Sequence, residues 1–243
     1  MRPKRFAQVR PILRLLPTLA CLVSSALLGT PAQALDRPIL VELFTSQGCS
    51  SCPPAEELLV ELARNRRDVL ALGFHVDYWD RLGWKDPFSS PAATARQRSY
   101  SRTLGTDQVY TPQMVVEGRI DVLGSDSAAA ATAIGKSAAE TGPRIPMKLI
   151  RRGEGFSASI GSGAGDARVL LVGYDSLHET AVRRGENAGR TVSQANVVRS
   201  VQPLGEWRGR DVEFTGPVPA GEKAVLILQA KDGRILGLAL AGG

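Results

Sequence analysis

The chain has 243 residues and a formal net charge of +6, from 30 basic and 24 acidic side chains. Five of the basic residues and none of the acidic ones lie in residues 1–34, so the other 209 residues carry a net charge near +1. This charge gives no support for a nucleic-acid-binding protein, and the length suffices for one large or two small domains.

Residues 1–34 have the pattern of a secretory signal peptide. A basic segment precedes an apolar run from Leu15 to Leu28, and Ala32-Gln33-Ala34 satisfies the small-x-small rule for cleavage. A transmembrane anchor would need about 20 apolar residues, and Pro17 interrupts this run. A lipoprotein is disfavoured because Cys21 lies inside the run. We predict cleavage after Ala34 and a periplasmic or secreted protein without a stable membrane anchor.

A buried strand and a helix are predicted on either side of a Cys-x-x-Cys pair. The apolar segment 39–44 is the strand, and leucines at helical spacing after residue 56 predict a helix to about Asn65. Pro53 and Pro54 lack N–H donors and are tolerated in the first turn of a helix. They therefore place both cysteines at the start of this helix.

Three interpretations of the pair Cys49 and Cys52 are open. A zinc site would use them as half of a four-ligand set, but the chain has no second pair and only two histidines. A structural disulfide fits an exported chain. A redox-active pair fits the strand–loop–helix context, because helix amides stabilise a thiolate at a helix start. We predict the redox-active pair, with the structural disulfide as the alternative.

The segment from Phe44 to Ala55, FTSQGCSSCPPA, resembles an uncharacterised secreted bacterial family with a thioredoxin-like domain of unknown function, and more broadly the thioredoxin superfamily. The resemblance implies an α/β thioredoxin-like domain over residues 36–142. The sequence departs from the thioredoxin pattern at Gly48 and at Ser50-Ser51. Because the residues between the cysteines tune the reduction potential, the direction of electron transfer stays open.

A second apolar strand, residues 69–74, ends in a polar segment. Its candidate site residues are His75, Asp77, Tyr78 and Trp79. We predict that they line the cleft near the cysteines. Two alternatives are a metal site that includes Asp80, and polar residues that are present only because the sheet stops there. We predict no metal and no organic cofactor.

An insertion with a helix is predicted at about residues 80–105. Ser90 suits the N-cap and Pro91 the first helical position, and the helix continues to Leu104. The arginines of this helix, Arg96 among them, form either a solvated face or part of a lid over the redox site. The sequence leaves both possibilities open.

The superfamily resemblance gives roles to three further residues. Thr111-Pro112 precedes a predicted strand, hairpin and helix, and in thioredoxins the proline at this place is cis and orients the substrate chain. The resemblance carries this role to Pro112, with Thr111 before it. Thioredoxins also hold a buried acid in the strand before the cysteines, which aids proton transfer from the second cysteine. Glu42 lies near that place. The alternatives are that strand alternation points it away from the cysteines, or that it forms a structural salt bridge.

A mainly β, sandwich-like domain is predicted over residues 143–243. Short apolar segments alternate with turn signals, and a closing hairpin turns at Asp232-Gly233. Within this domain the segment Gly185 to Arg190 matches an element of the same secreted family. A loop that packs onto the first domain and a ligand or partner surface are both open for this segment.

We therefore expect an exported thiol–disulfide oxidoreductase that acts on protein thiols, protein disulfides or small thiols. In this hypothesis Cys49 attacks as the thiolate and Cys52 resolves the mixed disulfide. Thr111 and Pro112 orient the partner chain, and Glu42 moves the proton. The alternative is a non-catalytic binding protein with a structural disulfide. A peroxidase ranks below both, because the sequence has no separate peroxide-site signature.

Overall fold

The structure, a computed structural model, describes residue 1 and residues 37–106, 108–140 and 145–242. The predicted signal peptide, residues 1–34, lies outside the described residues apart from Met1. The predicted domain boundary between residues 142 and 143 also lies outside them, so the two domain ranges stay predictions. None of the helices in the described ranges is long and apolar enough to cross a membrane.

The first half of the described chain mixes strands and helices, and the second half consists of strands. The first half contains β1 (Ile39–Thr45), α1 (Pro53–Asn65), β2 (Val69–His75), a 3-10 turn (Asp80–Leu82), α2 (Pro91–Leu104), β3 (Gln113–Val116), β4 (Ile120–Leu123) and α3 (Ser127–Ala139). The second half contains β5 (Met147–Arg152), β6 (Gly155–Ile160), β7 (Ala167–Ala181), β8 (Thr191–Trp207), β9 (Val212–Pro217), β10 (Lys223–Ala230) and β11 (Ile235–Gly242).

Two helix starts follow the local chemistry of the sequence. Helix α1 begins at Pro53, where a residue without an N–H donor breaks no helical hydrogen bond. Helix α2 begins after Ser90, whose side chain accepts a hydrogen bond from the backbone N–H of Ala93. The predicted end of α1 at about Asn65 and the predicted cap at Ser90 are confirmed.

The strands of the described residues form one mixed sheet in the order β4-β3-β1-β2-β8-β7-β10-β11-β5-β6-β9. Strands β1 and β2 are parallel, and β3 is antiparallel to β1. Strand β8 is the neighbour of β2, with Gly73 opposite Val197. The strands of the second half therefore extend the sheet of the first half.

The predicted fold class, an α/β thioredoxin-like domain followed by a separate sandwich-like β domain, is wrong. The protein is largely one mixed sheet of eleven strands, with three α-helices in the described residues. The error arises from strand pairing. Hydrophobic periodicity indicates where a strand lies, but it does not tell which strand becomes its neighbour. The placement of β8 beside β2 depends on residues that are far apart in the chain.

Helices α1 and α2 pack on opposite faces of β1. Leu40 belongs to the same buried cluster as Tyr100 of α2, whereas Val41 belongs to a cluster with Leu59 of α1. This alternation follows from the period of two in a strand. A third cluster around Trp207 fills the β-rich half. The cysteines, at the start of α1, therefore belong to the α1 side of the sheet.

Candidate functional site

Cys49 and Cys52 form a disulfide directly before α1. Cys52 is the N-cap residue of the helix, and the N–H of Cys49 donates to the carbonyl oxygen of Ser46 at 3.1 Å. Cys49 is 0% and Cys52 is 1% exposed, while Ser50 and Ser51 between them are exposed. Of the residues from Cys49 to Cys52, only the two serines are therefore exposed to solvent. We call residues 46–52, between β1 and α1, the cysteine loop; this loop has to move before a thiol reaches the sulfur atoms.

The connection between β7 and β8 holds the cysteine loop in place. Asn187 is 1% exposed. Its Nδ2 atom donates to the carbonyl oxygen of Gln47 at 2.9 Å and to that of Cys49 at 2.8 Å. We call residues 185–190 the clamp segment. The sequence left two interpretations open for this segment, a loop that packs onto the first half of the chain and a ligand or partner surface. Its packing against the cysteine loop corresponds to the packed loop.

Gly185 and Glu186, which precede Asn187 in the chain, also hold the clamp segment in place. Gly185 has φ of +77°, and a Cβ atom there would lie 3.0 Å from the Cβ of Trp84, so the position favours glycine. Glu186 accepts the backbone N–H of Ser50 at Oε2, at 3.1 Å. Hydrogen bonds from Ser50 lower the pKa of Glu186. The clamp segment thus contacts the backbone of the cysteine loop at Gln47, Cys49 and Ser50.

Thr111 and Pro112 lie beside the first turn of α1. A Cβ atom on Gly124 would lie 3.1 Å from the Cβ of Pro112 and 3.2 Å from that of Ala55, so only a glycine separates these two residues. The Thr111–Pro112 peptide bond is cis, as the resemblance implies. The Nε1–H of Trp79 donates to Oγ1 of Thr111 at 2.8 Å.

Three of the four residues predicted to line the cleft after β2, all except His75, separate into two groups. Trp79 contacts the cysteine loop, since a Cβ on Gly48 would lie 3.4 Å from the Cβ of Trp79. Asp77 and Tyr78 instead form hydrogen bonds to side chains of α2, at 2.6 Å and 3.2 Å. The structure therefore brings Trp79 to the cysteines and uses Asp77 and Tyr78 to attach α2.

Glu42 lies on the α2 side of β1. Nε of Arg96 donates to its Oε1 at 2.5 Å and Nη2 to its Oε2 at 2.9 Å, and the hydroxyl of Tyr100 donates to Oε2 as well. The structure places Glu42 in the salt bridge that the sequence left as an alternative, and does not bring it to the cysteines. Arg96 is buried in this contact, so it is neither on a solvated face nor in a lid.

Glu56 is the buried acid on the cysteine side of the sheet, and the sequence patterns did not reveal it. It follows Cys52 by one helical turn and is 4% exposed. Its Oε1 atom accepts from the hydroxyl of Thr45 at 2.8 Å and lies 3.9 Å from Nε2 of His75. Burial raises the pKa of Glu56. The sequence feature that could have revealed Glu56 is its spacing: an acid four residues after Cys52 lies on the same face of α1 as that cysteine.

Glu56 belongs to a cluster of buried polar side chains. Its members, which we call the polar cluster, are Glu56, His75, Asp86, Gln47 and Gln194. Nδ1 of His75 lies 2.7 Å from Oδ2 of Asp86, which also accepts the backbone N–H of Gln47 at 2.8 Å. Nε2 of Gln47 donates to Oε1 of Gln194 at 3.0 Å, and Gln194 lies beside Glu56. The cluster joins the cysteine loop to α1, β2 and β8.

The charges within the polar cluster shift two more pKa values. Burial acts to lower the pKa of His75, but the neighbouring carboxylates of Asp86 and Glu56 together outweigh it and the pKa is raised. Burial acts to raise the pKa of Asp86, but His75 and the backbone N–H groups of Gln47 and Phe88 together outweigh it and the pKa is lowered. In the described residues no group of three or more histidine, cysteine or acidic side chains is placed to hold a metal ion.

We expect the polar cluster to make the free energy of unfolding fall as the pH rises. The pKa values of Glu56 and His75 are raised from 4.5 and 6.5, so the stability that they contribute is present at low pH and lost as the pH rises through their folded-state pKa values. Asp86 acts in the opposite direction, but only as the pH falls below 3.8. Urea unfolding at about pH 5 and about pH 8 measures the difference.

The substitution Glu56→Gln tests this prediction, because it removes one of the two titrating groups. The variant should lose less stability than the wild type between the two pH values. Glu57→Gln is the matched control, since Glu57 is the exposed neighbour on α1 and should leave the pH dependence unchanged. Identical pH dependence of the wild type and Glu56→Gln would contradict the prediction.

Comparisons with known proteins give one matching family and two similar solved structures. A family described as "Protein of unknown function (DUF1223)" matches residues 40–229. The crystal structure of protein AGR_C_4864 from Agrobacterium tumefaciens is similar, with a TM-score of 0.72 and 32% sequence identity over 86% of this chain and 96% of that chain. HBP35 of Porphyromonas gingivalis has a TM-score of 0.55 at 13% identity, over 83% of this chain and 74% of that chain, and so shares the fold alone. No curated protein matches the chain.

Proposed function

The chain belongs to the DUF1223 family, whose description assigns no function, and we propose that it is an exported thiol–disulfide oxidoreductase of the periplasm or the secreted fraction. Its substrates would be protein thiols, protein disulfides or small thiols. The observation that carries the proposal is the disulfide at the start of α1, with Thr111 and Pro112 beside the same helical turn. We also propose that this local arrangement reflects kinship with the thioredoxin superfamily.

The proposed reaction transfers two electrons between the cysteine pair and a partner disulfide. The Cys49 thiolate attacks one sulfur atom of the partner, forms a mixed disulfide and releases the partner's first thiolate. The Cys52 thiolate then attacks the sulfur of Cys49, which re-forms the Cys49–Cys52 disulfide and releases the partner's second thiolate. The positive end of the α1 dipole favours the thiolate form of the attacking cysteine. The reverse sequence would oxidise a partner dithiol.

Resolution of the mixed disulfide requires the Cys52 thiol to lose its proton, and we assign its acceptance to Glu56. A buried carboxylate with a raised pKa is suited to accept a proton from a thiol. Glu56 lies one turn after Cys52, on the cysteine side of the sheet. Glu42, which the sequence suggested for this role, is bound by Arg96 on the opposite side. Thr111 and Pro112 keep their proposed role of orienting the partner chain.

A structural disulfide in a non-catalytic binding protein is the second candidate. The observation that favours it is the burial of both cysteines, at 0% and 1% exposure. A disulfide that no reductant reaches would stabilise the loop between β1 and α1 without taking part in exchange. The two candidates therefore differ in the reduction potential of the pair.

We expect the Cys49–Cys52 pair to have a reduction potential of roughly −120 to −270 mV, the range of known exchange proteins. Equilibration of the protein in glutathione buffers, followed by alkylation of free thiols and mass measurement, gives the value. The Cys52→Ser variant is the control, because it has no pair to titrate. A potential below about −300 mV would identify a structural disulfide and reject the proposed reaction.

A further inference from the structure

The buried polar atoms that lack a hydrogen-bonding partner are concentrated in the polar cluster. In the described part of the chain there are four such side-chain atoms. Three of them belong to the cluster: Oε2 of Glu56, Nε2 of His75 and Nε2 of Gln194. The fourth, Oδ1 of Asn187, lies in the clamp segment. Because a buried polar atom without a partner is unfavourable, this concentration points to a function of the cluster beyond stability.

Asp86 fixes the tautomer of His75. Its Oδ2 atom lies 2.7 Å from Nδ1 of His75, and both side chains are buried. Because a carboxylate accepts a hydrogen bond, the proton of a neutral imidazole belongs on Nδ1 here. The backbone N–H groups of Gln47 and Phe88 hold Asp86 in place, at 2.8 Å and 2.9 Å. The Nε2 atom of neutral His75 is therefore an acceptor, and it is the ring nitrogen close to Glu56.

Glu56 has one neighbour suited to each of its two protonation states. Its Oε1 atom lies 3.9 Å from Nε2 of His75, so a small movement of either side chain lets Nε2 accept a hydrogen bond from the protonated carboxyl. Gln194, which lies beside Glu56, has an amide N–H to donate to the carboxylate. The hydroxyl of Thr45 already donates to Oε1 at 2.8 Å. The cluster can thus accommodate Glu56 before and after it takes up a proton.

We propose that His75, oriented by Asp86, is a positioning residue of the redox site: it acts through Glu56 and stabilises there the proton that leaves Cys52. This inference rests on the proposed function. In the resolution step the S–H bond of Cys52 breaks and an O–H bond forms on Glu56. The electron pair left on the sulfur attacks the sulfur of Cys49, and the partner's second thiolate leaves. Nε2 of His75 accepts the hydrogen bond of the new O–H group.

The charges around His75 and Glu56 decide how this pair responds to pH. Burial and Arg199 of β8 act to lower the pKa of His75, and the carboxylates of Asp86 and Glu56 more than offset them. Burial raises the pKa of Glu56, as does Asp86, whereas His75 and two side-chain hydrogen bonds act to lower it. Asp86 therefore raises both pKa values, and its neutralisation should lower both.

Stopped flow measures the resolution step on the reduced wild-type chain, mixed with one equivalent of the aromatic disulfide dithiobis(nitrobenzoic acid). Attack by Cys49 releases the first thionitrobenzoate, and attack by Cys52 on the mixed disulfide releases the second. The rate of the second release between about pH 5 and about pH 9 should show two inflections. The lower inflection belongs to the Glu56–His75 pair, which accepts a proton only after losing its own. The upper one belongs to the thiol of Cys52.

Variants assign the lower inflection. Asp86→Asn should move it down by about one pH unit, because the variant lacks the carboxylate that raises both pKa values. Asp175→Asn is the matched control, since Asp175 contacts the chain's other histidine, His178, at 2.8 Å, and it should leave the inflection in place. Glu56→Gln should abolish the lower inflection and slow the second release about tenfold or more. An unchanged inflection in Asp86→Asn, or an equal shift in Asp175→Asn, would overturn the inference.

Histidine NMR tests the inference even where Asp86→Asn fails to fold. The chain has only two histidines, so the ring signals of His75 and His178 are readily separated. The pKa of His75 should be lower in Glu56→Gln than in the wild type, because the carboxylate of Glu56 raises it. The pKa of His178 should be the same in both proteins. An identical pKa of His75 in the two proteins would also overturn the inference.

The inference and the proposed function fail in different ways. A reduced wild-type chain that gives no second release, or a potential below about −300 mV, would reject the oxidoreductase and this inference with it. A second release whose lower inflection does not respond to Asp86→Asn would reject the role of His75 and keep the oxidoreductase.

Discussion

We expect the substitution Arg96→Met to lower the free energy of unfolding by about 3–5 kcal/mol, because it leaves the carboxylate of Glu42 buried without its cation. Arg96 donates to both oxygen atoms of Glu42, and their side chains are 6% and 0% exposed. Methionine retains much of the apolar length of arginine, so the change mainly removes charge and hydrogen bonds. Urea unfolding at constant pH measures the loss.

An exposed ion pair serves as the matched control, because it shows how much of the cost arises from burial of the charge and how much from loss of an ion pair. Arg119 pairs with Glu140 at 2.9 Å on the surface, where the side chains are 48% and 50% exposed, so Arg119→Met should cost less than about 1 kcal/mol. The double substitution Glu42→Leu with Arg96→Met removes both buried charges and should recover much of the loss. Equal costs for Arg96→Met and Arg119→Met would contradict the prediction.

The contacts around Arg96 also explain why α2 is not a lid. Nη1 of Arg96 donates to Oε1 of Gln229 on β10 at 3.1 Å, and Nε2 of Gln229 donates to the carbonyl oxygen of Gly233 at 2.8 Å. The bonds from Arg96 to Gln229 and to Glu42 attach α2 to strands from both halves of the chain, on the face opposite α1. An arginine in an alanine-rich helix looks solvated in sequence, since its partner Glu42 lies 54 residues earlier.

Local chemistry was sufficient to predict elements but not their neighbours. The start of α1 at Pro53 and the cap of α2 at Ser90 follow from residues within one helical turn. The pairing of Gly73 with Val197 joins β2 to a strand of the second half, and no periodic pattern encodes that partner. The fold class was wrong for this reason.

The candidate site likewise contains residues whose placement the sequence predicts and residues whose placement it does not. The disulfide of Cys49 and Cys52 was predictable from the spacing, and the position of Pro112 beside the first turn of α1 from the family resemblance. Glu42 does not take the role given to it, because the period of two in a strand turns its side chain towards Arg96 of α2. The contact of His75 with Asp86 was hidden, because Asp86 lies in a segment that reads as an ordinary loop.

We expect the substitution Asn187→Ala to accelerate reduction of the Cys49–Cys52 disulfide by dithiothreitol about 5- to 150-fold. Both cysteines are buried, so the reductant reaches them only when the cysteine loop leaves the clamp segment. Asn187 donates two hydrogen bonds to that loop, and their loss should lower the cost of opening by about 1–3 kcal/mol. Rapid quenching with an alkylating agent, followed by mass measurement, gives the rate.

A second asparagine provides the control for general destabilisation. Asn196 donates from β8 to the carbonyl oxygen of Ala71 at 2.8 Å, away from the cysteine loop. Its φ is +47°, which glycine accommodates without strain, so Asn196→Gly removes a comparable hydrogen bond. This variant should leave the reduction rate unchanged. An equal acceleration in Asn196→Gly would mean that reduction occurs through global unfolding and that the clamp segment has no gating role.

The rate and the potential of the Asn187→Ala variant together decide what the clamp segment does. If its hydrogen bonds persist in both redox states, the substitution speeds reduction and oxidation equally, and the reduction potential stays constant. If they form only with the disulfide closed, the same substitution also raises the potential, because it removes stability from the oxidised state alone. In the first case burial of the cysteines is compatible with an exchange enzyme whose partner displaces the clamp segment. In the second case the clamp segment stabilises the disulfide itself, which favours the structural role.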